Sequence, residues 1–258
     1  MHRGGQGLAA DEQVFLKRMA DLARRASQKG IWTLSAFLSP REAELARLAA
    51  KRESILVHAN GGFPGAERVR ILFADAQDVE RDAFEIASLS ITCGAQEQMT
   101  HGQVLGSILG LGLNRDVLGD LLVAGNTAHV FCTEAIKPFL LATLLRVGPH
   151  AVRVVETRES LGFQNGFEHW EERQFTVSSL RLDAFLAHAF SMSRNKAVEP
   201  IHAGLVQVNH RVSDDPSTPL CEGDLISLRG FGRAKVLELM GTSKKGRLVI
   251  RAGRMRSK

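Results

Sequence analysis

The feature that most constrains the fold is the order of apolar and turn-forming segments between residues 84 and 156. Thr100 and Gln103 have the spacing of a capping box at the start of a helical pattern over residues 100–111, and a second helical pattern covers residues 134–147. Four further segments alternate as half-buried strands do: residues 84–92, 118–124, 128–133 and 151–156. The order β-α-β-β-α-β predicts a ferredoxin-like (RRM-like) module, a fold that occurs in enzymes and in RNA-recognition modules alike and does not by itself decide the function.

The residues before this module predict two helices and a hairpin. A helix is expected from Asp11 to Lys29, and a second one begins after Ser39, which can cap it, and ends near Lys51. Strands are expected over residues 54–59 and 69–73. The glycine-rich loop between them lacks the lysine and hydroxyl of a phosphate-binding P-loop, which favours a simple hairpin connection.

Composition places the chain among globular proteins, with 44% hydrophobic and 24% charged residues. No apolar run is long enough for a membrane span and no signal-peptide pattern opens the chain, so we expect a cytoplasmic protein. The three cysteines, Cys93, Cys132 and Cys221, are too scattered for a disulfide framework and are expected in the core. The fold class is α+β in four parts: an N-terminal module 1–80, the ferredoxin-like module 81–157, a linker 158–180 and a C-terminal module 181–258.

Positive charge is concentrated at the C-terminal end. Residues 181–258 hold 14 lysines and arginines against 7 aspartates and glutamates, a net charge of +7, whereas the rest of the chain has a net charge of −2. A basic module is typical of proteins that bind a polyanion such as nucleic acid. The acidic first two modules suggest a protein partner, and the run Glu168-His169-Trp170-Glu171-Glu172 indicates a solvated acidic connector.

The C-terminal module contains a helix start with the wrong charges. After a short amphipathic helix behind Arg181, a second helix begins at Ser193, and its first turn carries Arg194 and Lys196. Cations there oppose the helix dipole at a cost of about 0.3 to 1 kcal/mol each. A phosphate bound at this turn would reverse the sign of that cost. Strands are expected afterwards over three segments: residues 205–211, 225–229 and 234–239.

Four segments of this module resemble a known RNA-binding domain. They are Arg181-Leu182-Asp183, Ser193-Arg194-Asn195-Lys196-Ala197, the stretch from Ile201 to Asn209, and Glu222-Gly223-Asp224 with Ile226-Ser227. Their types and spacing are similar to the domain named after ribosomal small-subunit protein S-four, which has two helices and a small antiparallel sheet. Arg229-Gly230-Phe231-Gly232-Arg233, Gly241–Arg247 and three upstream segments resemble the YlmH family of bacterial RNA-binding proteins. The upstream segments are Phe37–Glu42, Gly61–Arg68 and Leu105–Gly112.

The resemblance implies a protein that binds structured RNA, either ribosomal RNA or tRNA. It also implies association with the large ribosomal subunit and with rescue or quality control of stalled nascent chains, and gene linkage to cell-division loci. Carried onto this chain, it implies a helix edge that faces RNA, a flanking hairpin and two further phosphate contacts. The helix edge consists of Arg181, Ser193, Arg194 and Lys196. The hairpin residues are Asn209 and Arg211, and the two further contacts are Arg229 and Arg233. Pro200 and His210 depart from the pattern, and Pro200 is expected to tilt the second helix.

Other functions are less well supported by the residues. Arg181-Leu182-Asp183 lacks the following threonine of a pseudouridine synthase, and the glycines after Leu109 follow a helix rather than the strand that a methyltransferase needs. An RNA-modifying enzyme and a ribosome-docked adaptor remain the alternatives. Because these enzyme motifs are incomplete, we expect no catalytic residue, no cofactor and no metal ligand.

Base stacking by the central sheet would depend on Phe84 or Phe131.

Overall fold

The N-terminal module consists of two helices packed on a three-stranded antiparallel sheet in the computed structural model, which describes residues 10–157 and 170–256. Its elements are α1 Ala10–Lys29, β1 Thr33–Leu38, α2 Pro40–Arg52, β2 Leu56–Asn60 and β3 Val69–Ala74. Ser39 and Glu42 form the predicted capping box at the start of α2. The sheet order is β1-β3-β2, and the helices bury Met19, Ala46 and Ile71 between the two layers.

The central module has the predicted order of main elements. It contains β4 Ile86–Thr92, α3 His101–Leu109, β5 Leu118–Ala124, β6 Thr127–Thr133, α4 Lys137–Thr143, β7 Arg146–Val147, β8 His150–Ala151 and β9 Arg153–Glu156. The main sheet has the order β5-β6-β4-β9, and every neighbouring pair is antiparallel. The α+β class is confirmed, and the classification of this module as ferredoxin-like stays a prediction.

The first two modules form one compact unit over residues 10–157 of the described chain, and a half-buried arginine connects them. Arg68 of the N-terminal module donates from Nε to the Leu118 carbonyl at 2.9 Å. Its Nη2 donates to the carbonyls of Phe37 at 2.9 Å and Arg115 at 3.1 Å. The Asp120 carboxylate in turn accepts the backbone N–H of Arg68 at 3.1 Å. Burial lowers the pKa of the Arg68 guanidinium and lowers that of Arg115 to about 10, so both groups stay charged near neutrality.

The glycine-rich loop makes a second connection between the same two modules. As predicted, it joins an antiparallel pair, β2 and β3. Phe63 stacks on Phe131 of β6 with ring centroids 4.9 Å apart. Gly62 has a φ of +99°, and a Cβ built there would lie 2.3 Å from the Phe131 ring. Glycine is required at this position by both the backbone conformation and the close approach of the ring.

The C-terminal unit, residues 168–258, is a six-stranded antiparallel sheet covered by two helices. Its elements are β10 Glu171–Val177, α5 Leu182–Ala189, α6 Arg194–His202, β11 Val206–Val208, β12 Arg211–Val212, β13 Leu225–Leu228, β14 Gly232–Thr242 and β15 Leu248–Arg256. The strand order is β10-β15-β14-β13-β11-β12. Leu182, Phe185 and Leu186 of α5 are fully buried against Ile226 and Ile250 of the sheet, which gives this unit its own core.

Several predicted boundaries were wrong for identifiable reasons. The predicted linker 158–180 contains strand β10, because residues 171–177 all pair with residues 248–254 of β15. Glu171 and Glu172 are therefore exposed strand residues, whereas Glu168 and His169 lie outside the described residues. The predicted helix 134–147 is a short 3-10 turn followed by α4, in which Pro138 occupies the first turn. The predicted strand 205–211 is divided by a two-residue turn.

The sequence also placed all three cysteines in the core, and the structure corrects one of them. Cys93 and Cys132 are buried, and burial raises the pKa of the Cys132 thiol to about 12. Cys221 is exposed, since it lies in the turn before β13 rather than in a strand. Among the described residues, no helix is long and apolar enough to span a lipid bilayer.

Candidate nucleic-acid interface

Two of the predicted RNA-facing arginines share one buried carboxylate. Asp183 is the second residue of α5, and its side chain is 6% exposed. Its Oδ1 accepts from Arg181 Nε at 3.2 Å, and its Oδ2 accepts from Arg194 Nε at 3.0 Å and Nη2 at 2.9 Å. The side chains of Arg181 and Arg194 are 40% and 53% exposed, respectively. The carboxylate therefore orients two cations side by side while their outer faces remain open to solvent.

Backbone contacts fix the position of this carboxylate. The Leu182 N–H donates to the Thr218 carbonyl at 2.9 Å, and the Asp183 N–H donates to the Pro216 carbonyl at 3.0 Å. Asp183 Oδ1 also accepts the N–H of Ala184 at 2.8 Å. The first N–H groups of α5 are thereby occupied within the protein. This helix start therefore offers side chains, rather than backbone donors, to an anion.

The start of α6 adds a third cation. Ser193 caps the helix as predicted, because its Oγ accepts the N–H of Lys196 at 3.3 Å. Lys196 is exposed and has no ion pair within the described residues. It lies two residues after Arg194 in the first turn of α6. We refer to Arg181, Arg194 and Lys196 together as the cation cluster. The helix continues through Pro200 to His202.

The predicted flanking hairpin contains one residue with a structural role. Asn209 and His210 form the two-residue turn between β11 and β12, with φ angles of 50° and 64°. Asn209 Nδ2 donates to Asp224 Oδ1 at 2.8 Å, and its Oδ1 accepts the Leu225 N–H at 2.9 Å. Both ends of the Asn209 amide thus have partners inside the protein. Arg211, on the edge strand β12, is exposed.

Arg229 and Arg233 lie at the opposite end of β13. The N–H of Arg229 donates to the Leu205 carbonyl at 3.0 Å, whereas the Asn209 turn contacts Leu225. The four residues of β13 separate the two positions by about 13 Å. The structure therefore does not bring Arg229 and Arg233 together with Asn209.

Sequence reasoning missed an exposed aromatic residue between these arginines. Phe231 is 50% exposed at the turn from β13 to β14. Gly230 and Gly232 on either side have φ angles of 83° and 101°. The sequence Arg229-Gly230-Phe231-Gly232-Arg233 could have predicted this exposure, because a phenylalanine between two glycines at the tip of a hairpin has few side chains to pack against.

The aromatic residues considered for the central sheet cannot stack on bases. Phe84 is 4% exposed and Phe131 is 3% exposed, and Phe131 packs against Phe63. Base recognition by ring stacking, as in RNA-recognition modules, needs a solvent-facing ring. Neither residue can take that role without rearrangement of the unit.

Comparison with known proteins agrees with the order of modules. Three family models match the chain: "YlmH, N-terminal" over residues 11–77, "Putative RNA-binding domain in YlmH" over residues 80–160, and "S4 domain" over residues 180–226. A protein of Bacillus subtilis (strain 168), named ribosome-associated protein quality control protein P2, is 31% identical over 242 residues. The alignment covers 93% of this chain and 94% of that protein.

A solved structure shares the fold of part of the chain. It is titled cell division protein ylmH from Streptococcus pneumoniae, and it superposes with a TM-score of 0.53 at 23% identity. The match covers 59% of this chain and 94% of that structure. With the three matched modules and the full-length relative, these findings show that the chain belongs to the YlmH family of RNA-binding proteins, with an S4 domain near its C-terminus.

Proposed function

We propose that this protein binds structured RNA, ribosomal RNA or tRNA, on the large ribosomal subunit. We further propose that it acts there, without catalysis, in the rescue or quality control of stalled nascent chains. The observation that carries the proposal is the cation cluster, in which Asp183 orients Arg181 and Arg194 at the start of the helix that also carries Lys196. The name of the Bacillus subtilis relative supports the ribosomal setting.

The cluster is suited to phosphate recognition for a physical reason. Holding two guanidinium groups on one carboxylate removes most of their side-chain freedom before RNA arrives. Each group keeps N–H donors on its exposed side, and planar guanidinium forks match the oxygen pairs of phosphates. Arg211 and Arg229 are exposed elsewhere in the same unit and provide two further positive charges. In this proposal the Asn209 side chain maintains the fold and does not contact RNA.

Removing two members of the cluster is the direct test. We expect Arg194→Ala with Lys196→Ala to reduce the slope of log affinity against log salt by about 1.4 to 1.8, because each lost phosphate contact removes about 0.7 to 0.9. The measurement is RNA binding over a salt series, together with sedimentation of the protein with host ribosomes in a sucrose gradient. Salt-sensitive sedimentation with the large subunit should be lost in the variant.

A control variant removes the same charge elsewhere in the unit. The control variant is Lys244→Ala with Lys245→Ala. Both lysines are exposed in the turn between β14 and β15, away from the cluster in sequence. We expect it to sediment with the subunit nearly as the wild type does. Equal losses in the two variants would show that net charge, and not the cluster, controls binding.

Phe231 offers a test of contacts to bases. Stacking of a base on an aromatic ring contributes about 1 to 3 kcal/mol. We expect Phe231→Ala to weaken binding to RNA with unpaired loop bases by about 5-fold to 150-fold without a change in salt slope. Phe231→Trp should retain affinity. The same loss on a fully paired duplex would contradict a stacking role.

A further inference from the structure

The solvent side of the N-terminal helix pair carries an excess of positive charge that the net charge of the module conceals. The residues of α1 and α2 include nine lysines and arginines against five aspartates and glutamates. Acidic residues outside the two helices balance this excess in the sequence total. Those that the structure describes in this unit lie outside α1 and α2.

Most of the acidic residues in the two helices are already engaged. Glu12 and Glu44 both bind Arg41, at 2.7 Å and 2.9 Å. Asp21 lies 3.3 Å from Arg24 on the same helix. Glu42 accepts the N–H of Ser39 at 2.7 Å as part of the capping box. These ion pairs involve Arg24 and Arg41 and none of the other cations of the two helices. Asp21 lies one turn from Lys17 and Arg25, and Glu44 lies one turn from Arg47.

Seven cations remain, and all are exposed. None has an ion pair in the part of the chain that the structure describes. They are Lys17, Arg18, Arg25 and Lys29 on α1, and Arg47, Lys51 and Arg52 on α2. We call these seven residues the basic helix layer.

Helix geometry arranges the layer in stripes. Arg18, Arg25 and Lys29 are spaced by seven and four residues, which places them along one side of α1 over about 16 Å. Arg47 and Lys51 are one turn apart on α2. The helices lie side by side in the same direction, since Arg41 binds Glu12 near their starts and Arg24 lies 3.6 Å from Glu53 near their ends.

This arrangement is unfavourable in the protein alone. Like charges one turn apart on a helix repel each other, as Arg25 with Lys29 and Arg47 with Lys51 do. A surface that is merely solvated usually mixes both signs of charge. A polyanion laid across the layer would convert this repulsion into attraction, and it would release counterions from its own phosphates.

We propose that the basic helix layer is a second RNA-binding surface, which contacts the phosphate backbone of a double-helical segment. This RNA-binding role would replace the role suggested by the net charge of the first two modules, which was the docking of a protein partner through an acidic surface. The proposal rests on the function proposed above only in the choice of RNA as the polyanion. The residues involved belong to the other compact unit of the chain.

The test neutralises the stripes in the full-length protein. The variant carries Arg18→Gln, Arg25→Gln, Lys29→Gln, Arg47→Gln and Lys51→Gln, because glutamine is a good helix former. The probe is a labelled blunt RNA duplex titrated over a salt series. We expect the salt slope to fall by about two units or more and the melting temperature to remain near that of the wild type. An unchanged slope with a folded protein would overturn the proposal.

A matched control removes the same number of charges outside both proposed surfaces. Lys244→Gln with Lys245→Gln takes two exposed cations from the turn between β14 and β15, and it is compared with Arg47→Gln plus Lys51→Gln. The helix pair should lower the slope by about 1.4 to 1.8, and the control should leave it unchanged. Equal effects from both would overturn the proposal, because they would report net charge alone.

Two further measurements separate this proposal from its alternatives. If the helix-layer variant lowers the slope while Arg194→Ala with Lys196→Ala does not, the proposal stands and the cation cluster loses its role. If only the cluster variant lowers the slope, the helix layer does not bind RNA. Wild-type pelleting with phosphatidylserine vesicles, lost in the helix-layer variant whose RNA slope is unchanged, would overturn the proposal in favour of a lipid surface.

Discussion

Asp183→Asn is expected to weaken RNA binding about tenfold and to destabilise the C-terminal unit by about 2 kcal/mol. The substitution removes charge-assisted hydrogen bonds from Arg181 and Arg194, and it leaves their guanidinium groups free to move and repel each other. Partial exposure of both arginines keeps the stability loss below that of a fully buried pair. RNA titration and urea denaturation measure the two effects.

The sign of the effect on RNA makes this variant informative. Removing a negative charge near bound phosphates would strengthen binding if long-range attraction alone mattered. Asp215→Asn supplies that comparison, because the Asp215 carboxylate is exposed, and hydrogen bonds from Ser217 chiefly lower its pKa with Arg181 contributing. We expect Asp215→Asn to leave RNA affinity unchanged or slightly raised. Tighter binding by Asp183→Asn would refute the idea that its carboxylate prepares the cluster.

Arg68→Met is expected to destabilise the N-terminal unit by about 3 to 5 kcal/mol. The methionine would leave the carbonyls of Phe37 and Arg115 without their guanidinium donor, and the Leu118 carbonyl would keep only its bond from Arg115 Nη1. Urea denaturation measures the loss. A separation into two transitions would show that Arg68 also couples the folding of the first two modules.

Arg52→Met is the control for this prediction. Arg52 is an exposed arginine of the same unit with no ion pair in the described residues. Its replacement should change the free energy of unfolding by no more than about 0.5 kcal/mol. A comparable loss in the two variants would mean that the hydrogen bonds of Arg68 do not hold the modules together.

Sequence signals with local causes were reliable. The capping boxes at Ser39 and Thr100 and the Ser193 cap are all present, because each depends on residues three positions apart. Strands that depend on distant partners were missed. Residues 33–38 pair with β3, and residues 248–256 pair with both β10 and β14. Nothing within those short segments identifies their partners.

The site was predictable to a similar extent. The resemblance identified Arg181, Arg194 and Lys196, but not that the Asp183 carboxylate holds two of them. Averaging charge over 180 residues suggested an acidic surface, because a sum cannot show that Glu12 and Glu44 are both bound by Arg41. The need for glycine at position 62 likewise became visible only with the Phe131 ring beside it.

The extent of the C-terminal sheet sets limits on any fragment made for biochemical work. The S4 domain match spans residues 180–226, whereas the sheet begins with β10 at Glu171 and ends with β15 at Arg256. A fragment cut at the matched bounds would lack β14 and leave the apolar face of α5 and α6 without most of its cover. Its exposed strand edges would favour self-association. A usable fragment needs to begin before Trp170, which packs over Gly253 of β15, and to include the whole final strand.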